Sequence, residues 1–267
     1  MFILYCWKNI TVEDSKGFRL LQVANVVGYI GVFAVNILAN ALPLNGKTTA
    51  ELSDIYPNLF VPAGYVFSVW GVIYLLLFAF AIYQASPARR SEGFLGRIGY
   101  LFALSCLCNI SWIFLWHYEH VILSLLPMFA LLLSLILIYV RLDIGRGYPS
   151  RGERLFVHLP FSVYLGWITV APIANVVAAL VSINWGGFGL GEVAWTVIMI
   201  AVAVVLTVVN TFTRGDAGYA LVIVWALAGI AVKQMAFKAI VTAAVTGVII
   251  ILAVLLMRKA GPFRHRI

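Results

Sequence analysis

The chain has 267 residues, of which 63% are hydrophobic in type and only 10% charged, with a formal net charge of +8. A soluble domain is about half apolar and a quarter charged, so these proportions exclude a soluble enzyme, a DNA-binding domain and a secreted disulfide scaffold. They indicate an integral membrane protein, because each bilayer crossing takes about 20 apolar residues and little chain is left for a soluble domain.

The chain begins with MFILYCW, which is too short for a signal-peptide core, and a polar strip from Lys8 to Arg19 follows, so no cleavage is expected. Membrane spans are expected at 22–43, 62–84, 97–117, 121–140, 156–180, 193–213, 217–232 and 239–257. All read as helices: LLLSLILIYV (131–140) and VIMIAVAVVLTVV (197–209) are apolar on every side, whereas barrel strands alternate. The seventh span is the shortest, and Lys233 and Lys238 mark a brief exit from the bilayer before the eighth. The fold class is therefore all-α, a polytopic transmembrane helix bundle of about eight spans.

Counted by alternate side, fifteen of the eighteen Lys and Arg residues fall on one side, with both termini and the second, fourth and sixth loops. The other side keeps Lys47, Lys233 and Lys238. The positive-inside bias places the basic side in the cytoplasm, so the excess charge reports topology and not nucleic-acid binding. On that topology Asn9-Ile-Thr, a formal glycosylation sequon, is cytoplasmic and idle. Cys6, Cys106 and Cys108 form neither a metal spacing nor a disulfide framework.

No ionisable residue is expected in the middle of a span, which disfavours ion-coupled transport. His117, Tyr118, Glu119 and His120 read as a solvated interfacial turn rather than a metal site, and His158 as an interface residue. What the spans do carry is aromatic residues and asparagine at helical spacing. Phe67, Trp70 and Tyr74, then Asn109, Trp112 and Trp116, then Tyr164, Trp167, Ala171 and Asn175 each share one helix face. Trp116, Tyr118, Trp185 and Trp195 suit the interfacial aromatic belt. Trp70 and Trp167 are expected roughly 12 to 18 Å from a span end, where an indole N–H needs a protein or ligand acceptor. Asn109 and Asn175 either bond neighbouring helices or orient a bound molecule, and flat aromatic walls suit a flat hydrophobic ligand.

The stretch FVPAGYVFSVWGVIY (60–74) resembles the second-helix signature of the TspO family, the tryptophan-rich sensory proteins related to the mitochondrial translocator protein, or peripheral benzodiazepine receptor. Phe60, Pro62, Phe67, Val69, Trp70 and Tyr74 match that pattern without a gap, while Ala63, Tyr65 and Ile73 depart from it. Asn109 and Trp112 match the third-helix motif, and Trp167, Ala171 and Asn175 the fifth. The resemblance covers about residues 20–182. It divides the chain into a cytoplasmic N-terminal segment (1–21), a TspO-like five-helix core (22–182), three additional transmembrane helices (183–257) and a basic cytoplasmic tail (258–267). Small residues in the added helices suit close packing, and these helices would cover a surface used for dimerisation in shorter members.

The resemblance implies a pocket for tetrapyrroles such as protoporphyrin, lined by Trp70, Asn109 and Trp167, with Tyr74, Trp112, Ala171 and Asn175 as further motif positions. The segment 42–64 would be its lid, on the non-cytoplasmic side, with a turn at Asn45-Gly46. A sterol motif at the end of the fifth helix has no match here. The expectation is a membrane protein that binds a flat hydrophobic ligand for sensing, regulation or transport, with no resident cofactor or metal. Its partners would be membrane lipid, the small-molecule ligand and a second copy as homodimer, but no nucleic acid. Two other readings are an eight-span transporter of a neutral or amphipathic solute, which lacks the internal repeat that would favour it, and an enzyme that degrades porphyrin. Light-dependent porphyrin degradation follows from the resemblance alone, since no acid–base or nucleophilic constellation lies in the spans and no residue is assigned as catalytic. The expected location is a prokaryotic cytoplasmic membrane with both termini in the cytoplasm.

Overall fold

The computed structural model describes residues 15–42, 44–90 and 92–260, so Cys6, the Asn9 sequon and most of the basic tail lie outside the described residues. Eight apolar helices follow the expected spans: α1 (Ser15–Ala41), α3 (Val69–Ala85), α5 (Leu101–His117), α6 (Val121–Arg141), α7 (Leu159–Ser182), α8 (Glu192–Arg214), α9 (Ala217–Lys233) and α10 (Lys238–Ala260). Of the shorter helices between them, α2 (Thr49–Ile55) lies in the first loop and α4 (Gly93–Ile98) in the second. No strand occurs among the described residues.

Helix ends follow local chemistry. The third span begins at Leu101 and not at 97, because Gly99 adopts φ +54° and separates α4 from α5; such a backbone is open to glycine and strained for other residues. The second span enters the bundle through a 3₁₀ turn, Gly64–Ser68, before α3, and the fifth through a π turn, Arg154–His158. In the first loop Thr48 and Glu51 form a capping box at the start of α2. The two hydrogen bonds that Thr48 donates hold the exposed Glu51 carboxyl below its ordinary pKa.

Successive spans run antiparallel, which sorts the loops onto two ends. The lid end carries α2 and the 117–121 turn; the basic end carries residues 86–100, 141–158 and 214–217. α1 packs on α5 and α3, α5 on α6, α6 on α7, and α3 on α7. α9 lies against the other side of α7, α10 against α9, and α8 mainly against α10.

α9 does more than extend the bundle outward. The Trp225 indole N–H donates to Val66 O at 3.1 Å, the Ala63 N–H donates to Gly229 O at 3.2 Å, and the Lys233 ammonium meets Asp54 at 2.8 Å. A Cβ on Gly229 would lie 2.1 Å from Val66 Cγ2, so this approach requires glycine. The C-terminal helices therefore hold the loop and the turn that deliver Trp70.

Candidate ligand-binding site

α1 and α3 are fastened together at the basic end. Gln22 Nε2 donates to the carbonyl oxygens of Gln84 and Ser86 at 2.5 and 3.0 Å, and Arg90 Nε donates to Gln22 Oε1 at 2.9 Å. Midway, Tyr29 Oη donates to Tyr74 O at 3.2 Å. From there to the lid end the two helices flank a cavity of about 1100 Å³, lined by α1 from Tyr29 to Ala41, by α3 and its entry turn from Phe67 to Phe78, and by Thr49 and Ala50 of α2. Its walls are largely aromatic, through Tyr29, Phe33, Phe67, Trp70, Tyr74 and Phe78, with Asn36 and Asn40 as the amides.

Trp70 is the hub of the aromatic walls. Its ring stacks on Tyr74 (centroids 5.5 Å, 14° between planes) and on Trp112 (6.2 Å, 27°), and meets Tyr164 and Trp167 edge-on at 6.1 Å each. Phe67 abuts Trp167, and Trp112 stacks on Trp116, which contacts Tyr56 of the lid. Trp70 stands shallower than expected, since it is the second residue of α3 and six residues after Gly64. Its indole nonetheless turns into the bundle and leaves the interfacial belt.

Of the seven pocket residues that the family resemblance implies, Trp70 and Tyr74 line the cavity, next to Phe67 of the same helix face. The others stand behind this wall. Asn109 is fully buried; its Oδ1 accepts from Asn36 Nδ2 at 2.8 Å and its Nδ2 donates to Tyr164 Oη at 3.2 Å, which ties α1, α5 and α7 together. The Trp112 indole N–H donates to Asn175 Oδ1 at 2.9 Å, and Asn175 Nδ2 donates to Ser124 Oγ at 3.0 Å, which ties α5, α7 and α6. Trp167 is buried with its indole N–H unpartnered, as is the Tyr74 hydroxyl. Ala171 packs against the core. Buried amides in such a bundle each contribute about 1 kcal/mol by hydrogen bonding.

Asn36 and Asn40 carry no motif. Their signal was the face Tyr29, Phe33, Asn36 and Asn40, which recurs at helical spacing along the first span.

The lid is fastened to the end of α5. His117, expected in a solvated turn, is instead fully buried. Its Nδ1 lies 3.1 Å from Leu44 O, and since a carbonyl only accepts, the proton is on Nδ1 and Nε2 accepts from the Thr49 hydroxyl at 3.2 Å. Asn45, in the left-handed backbone expected of the Asn45-Gly46 turn, donates from Nδ2 to His117 O at 3.0 Å. Lys47 and Glu119 pair at 2.9 Å outside it. Among the described residues no group of three or more His, Cys, Asp or Glu side chains is placed to hold a metal.

Six of these helices are long and apolar enough to cross a bilayer and two shorter apolar ones accompany them, so the molecule is a polytopic integral membrane protein. The chain belongs to the family described as TSPO-like protein, whose match runs over residues 22–257. That match extends past the five-helix stretch carrying the motifs and through α8, α9 and α10. No curated protein and no solved structure matches the chain.

Proposed function

We propose that the protein binds a flat hydrophobic molecule, a tetrapyrrole such as protoporphyrin, in the cavity between α1 and α3. The observation that carries this reading is the cavity itself: about 1100 Å³, beneath the lid helix, walled by aromatic rings with two amides at hand. That volume is at the upper edge of the roughly 300–1,000 Å³ typical of small-molecule sites. Trp70 and Tyr74 would stack on the ligand, and Asn36 and Asn40 would orient polar substituents. Trp112 and Trp167 would set the angle of Trp70, and Asn109 would set Asn36. The cavity opens sideways, past Ile30, Ile37 and Leu75, all well exposed and apolar, so bound ligand would exchange with the bilayer. The charge bias supports a cytoplasmic location for the basic end and both termini. Binding of this kind serves sensing, regulation or assisted transport.

The test is a titration of detergent-purified protein with protoporphyrin, followed by tryptophan emission. Saturable binding is expected, weakened about tenfold in Trp70→Ala, the equivalent of 1.4 kcal/mol, and less in Trp167→Phe, with the fold checked by circular dichroism. Folded protein without saturable binding would overturn the reading and give first place to transport of another neutral solute.

A further inference from the structure

A second apolar surface lies on the other side of the bundle, where α6, α7 and α8 diverge. The groove encloses about 1190 Å³. Its floor follows α7 from Leu165 to Val181, a run of about 24 Å at 1.5 Å per residue. Leu132 and Ile136 of α6 form one wall, and Met199 and Val202 of α8 the other. A bilayer leaflet contributes roughly half of a 30 Å hydrocarbon core, so a single acyl chain fits along this floor.

At the basic end the groove reaches Arg214, which also lines a polar cavity of about 300 Å³ together with Arg154, His158 and Ser162. Arg154 is exposed and forms no ion pair among the described residues. His158 is 5% exposed, and its Nε2 has no hydrogen-bond partner, standing 3.5 Å from a Glu153 carboxylate that Arg97 already pairs at 2.5 Å. Arg214 lies 5.1 Å over the Tyr139 ring, donates to Ile144 O at 2.9 Å and stands 3.6 Å from Asp143. The acid in this cavity, Asp216, is satisfied from within: Oδ2 accepts from Tyr139 Oη at 2.8 Å and Oδ1 from the Tyr219 N–H at 3.2 Å. Arg214 is paired with Asp143, and Asp216 is engaged by Tyr139 and the Tyr219 N–H, so Arg154 is the arginine of this lining without an acidic partner among the described residues.

A polar chamber with one arginine free of acidic partners, sharing Arg214 with a long apolar groove, has the two-part chemistry of an acidic lipid. Basic pockets between transmembrane helices suit acidic headgroups, and the planar guanidinium fork suits phosphate oxygens. We propose that the paired cavities bind an anionic phospholipid. Arg154 and Arg214 hold its phosphate beside His158, and one acyl chain lies along α7 between α6 and α8. A zwitterionic lipid offers the same chains, but its headgroup cation meets the arginines, so the site discriminates by head charge.

The experiment is native mass spectrometry of the full chain in mild detergent with added phosphatidylglycerol or phosphatidylcholine of identical chains. Wild type retains phosphatidylglycerol in preference by about fivefold, the scale of one arginine contact at a membrane surface. Arg154→Gln abolishes the preference, and Arg151→Gln, exposed on the same end outside both cavities, preserves it. Val202→Trp, which fills the groove, lowers retention of both lipids. The proposal is overturned if wild type shows no preference, if Arg151→Gln and Arg154→Gln act alike, or if Val202→Trp retains both lipids as wild type does. Arg154 is exposed and Val202 is 41% exposed, so neither change disturbs the core, and circular dichroism checks both.

Discussion

The aromatic region shared by α1, α3, α5, α6 and α7 and the trio α8, α9 and α10 are both apolar, yet they are held together differently. The first region is cross-linked by polar groups inside an aromatic pile: Asn36 to Asn109 to Tyr164, and Trp112 to Asn175 to Ser124. The second is joined within itself and to α7 by close approach at glycines. A Cβ on Gly166 would lie 2.9 Å from Tyr219 O, and one on Gly247 would lie 2.5 Å from Val204 Cγ2. In lipid, apolar surface alone gives helices little reason to associate, so both solutions are needed. The amides fix the aromatic helices relative to one another, and Asn36 belongs both to that network and to the cavity wall. Small residues leave no gap, and the trio serves as a clamp on the first region.

Four outcomes would break or sharpen that comparison. The largest effect is expected from a chain ending at Ser182. It loses the Trp225, Gly229 and Lys233 contacts to the lid and its following turn, so limited proteolysis within 54–66 should accelerate strongly; wild-type protection would make the trio a separable layer. Gly229→Val should follow, since its side chain must displace Val66, at a cost of about 1–3 kcal/mol in thermal unfolding. Unchanged stability would contradict the close approach. Asn109→Leu leaves Tyr164 and Asn36 each short of a partner and should lower stability by about 1 kcal/mol, with weaker ligand binding as Asn36 turns away. The smallest effect is expected for Trp195→Ala. Trp195 fastens the 187–191 loop by donating to Gly187 O at 2.9 Å, so porphyrin titration should match wild type.

Much of this architecture was legible in the sequence. Eight apolar runs separated by short polar or glycine-rich breaks translate directly into helices, because the bilayer leaves the backbone few other ways to satisfy its hydrogen bonds. The Gly99 break does carry a helix-end signal, a glycine two residues after Arg97, but the expectation of one continuous span from 97 passes over it. The motif tryptophans and asparagines could be found by spacing, and they do converge in the fold. Which of them face open space could not be read, because a helix face borders both a cavity and a neighbour. Tyr74 borders the cavity, whereas Trp112, on the same aromatic pile, spends its N–H on Asn175. The contact of Trp225 with Val66 joins residues 159 positions apart and depends on how α9 settles against the entry turn of α3.

The lid is tied to α5 by His117 and to α9 by Lys233, while the gap between α1 and α3 is bordered by exposed apolar side chains. Occupancy of the cavity by the proposed hydrophobic ligand would then be governed by partition. The concentration that matters is moles of ligand per mole of lipid, not per litre of buffer. An apparent affinity measured in detergent should weaken in proportion as micelle volume is added, and a ligand that dissolves poorly in water but well in hydrocarbon can fill the site at vanishing aqueous concentration.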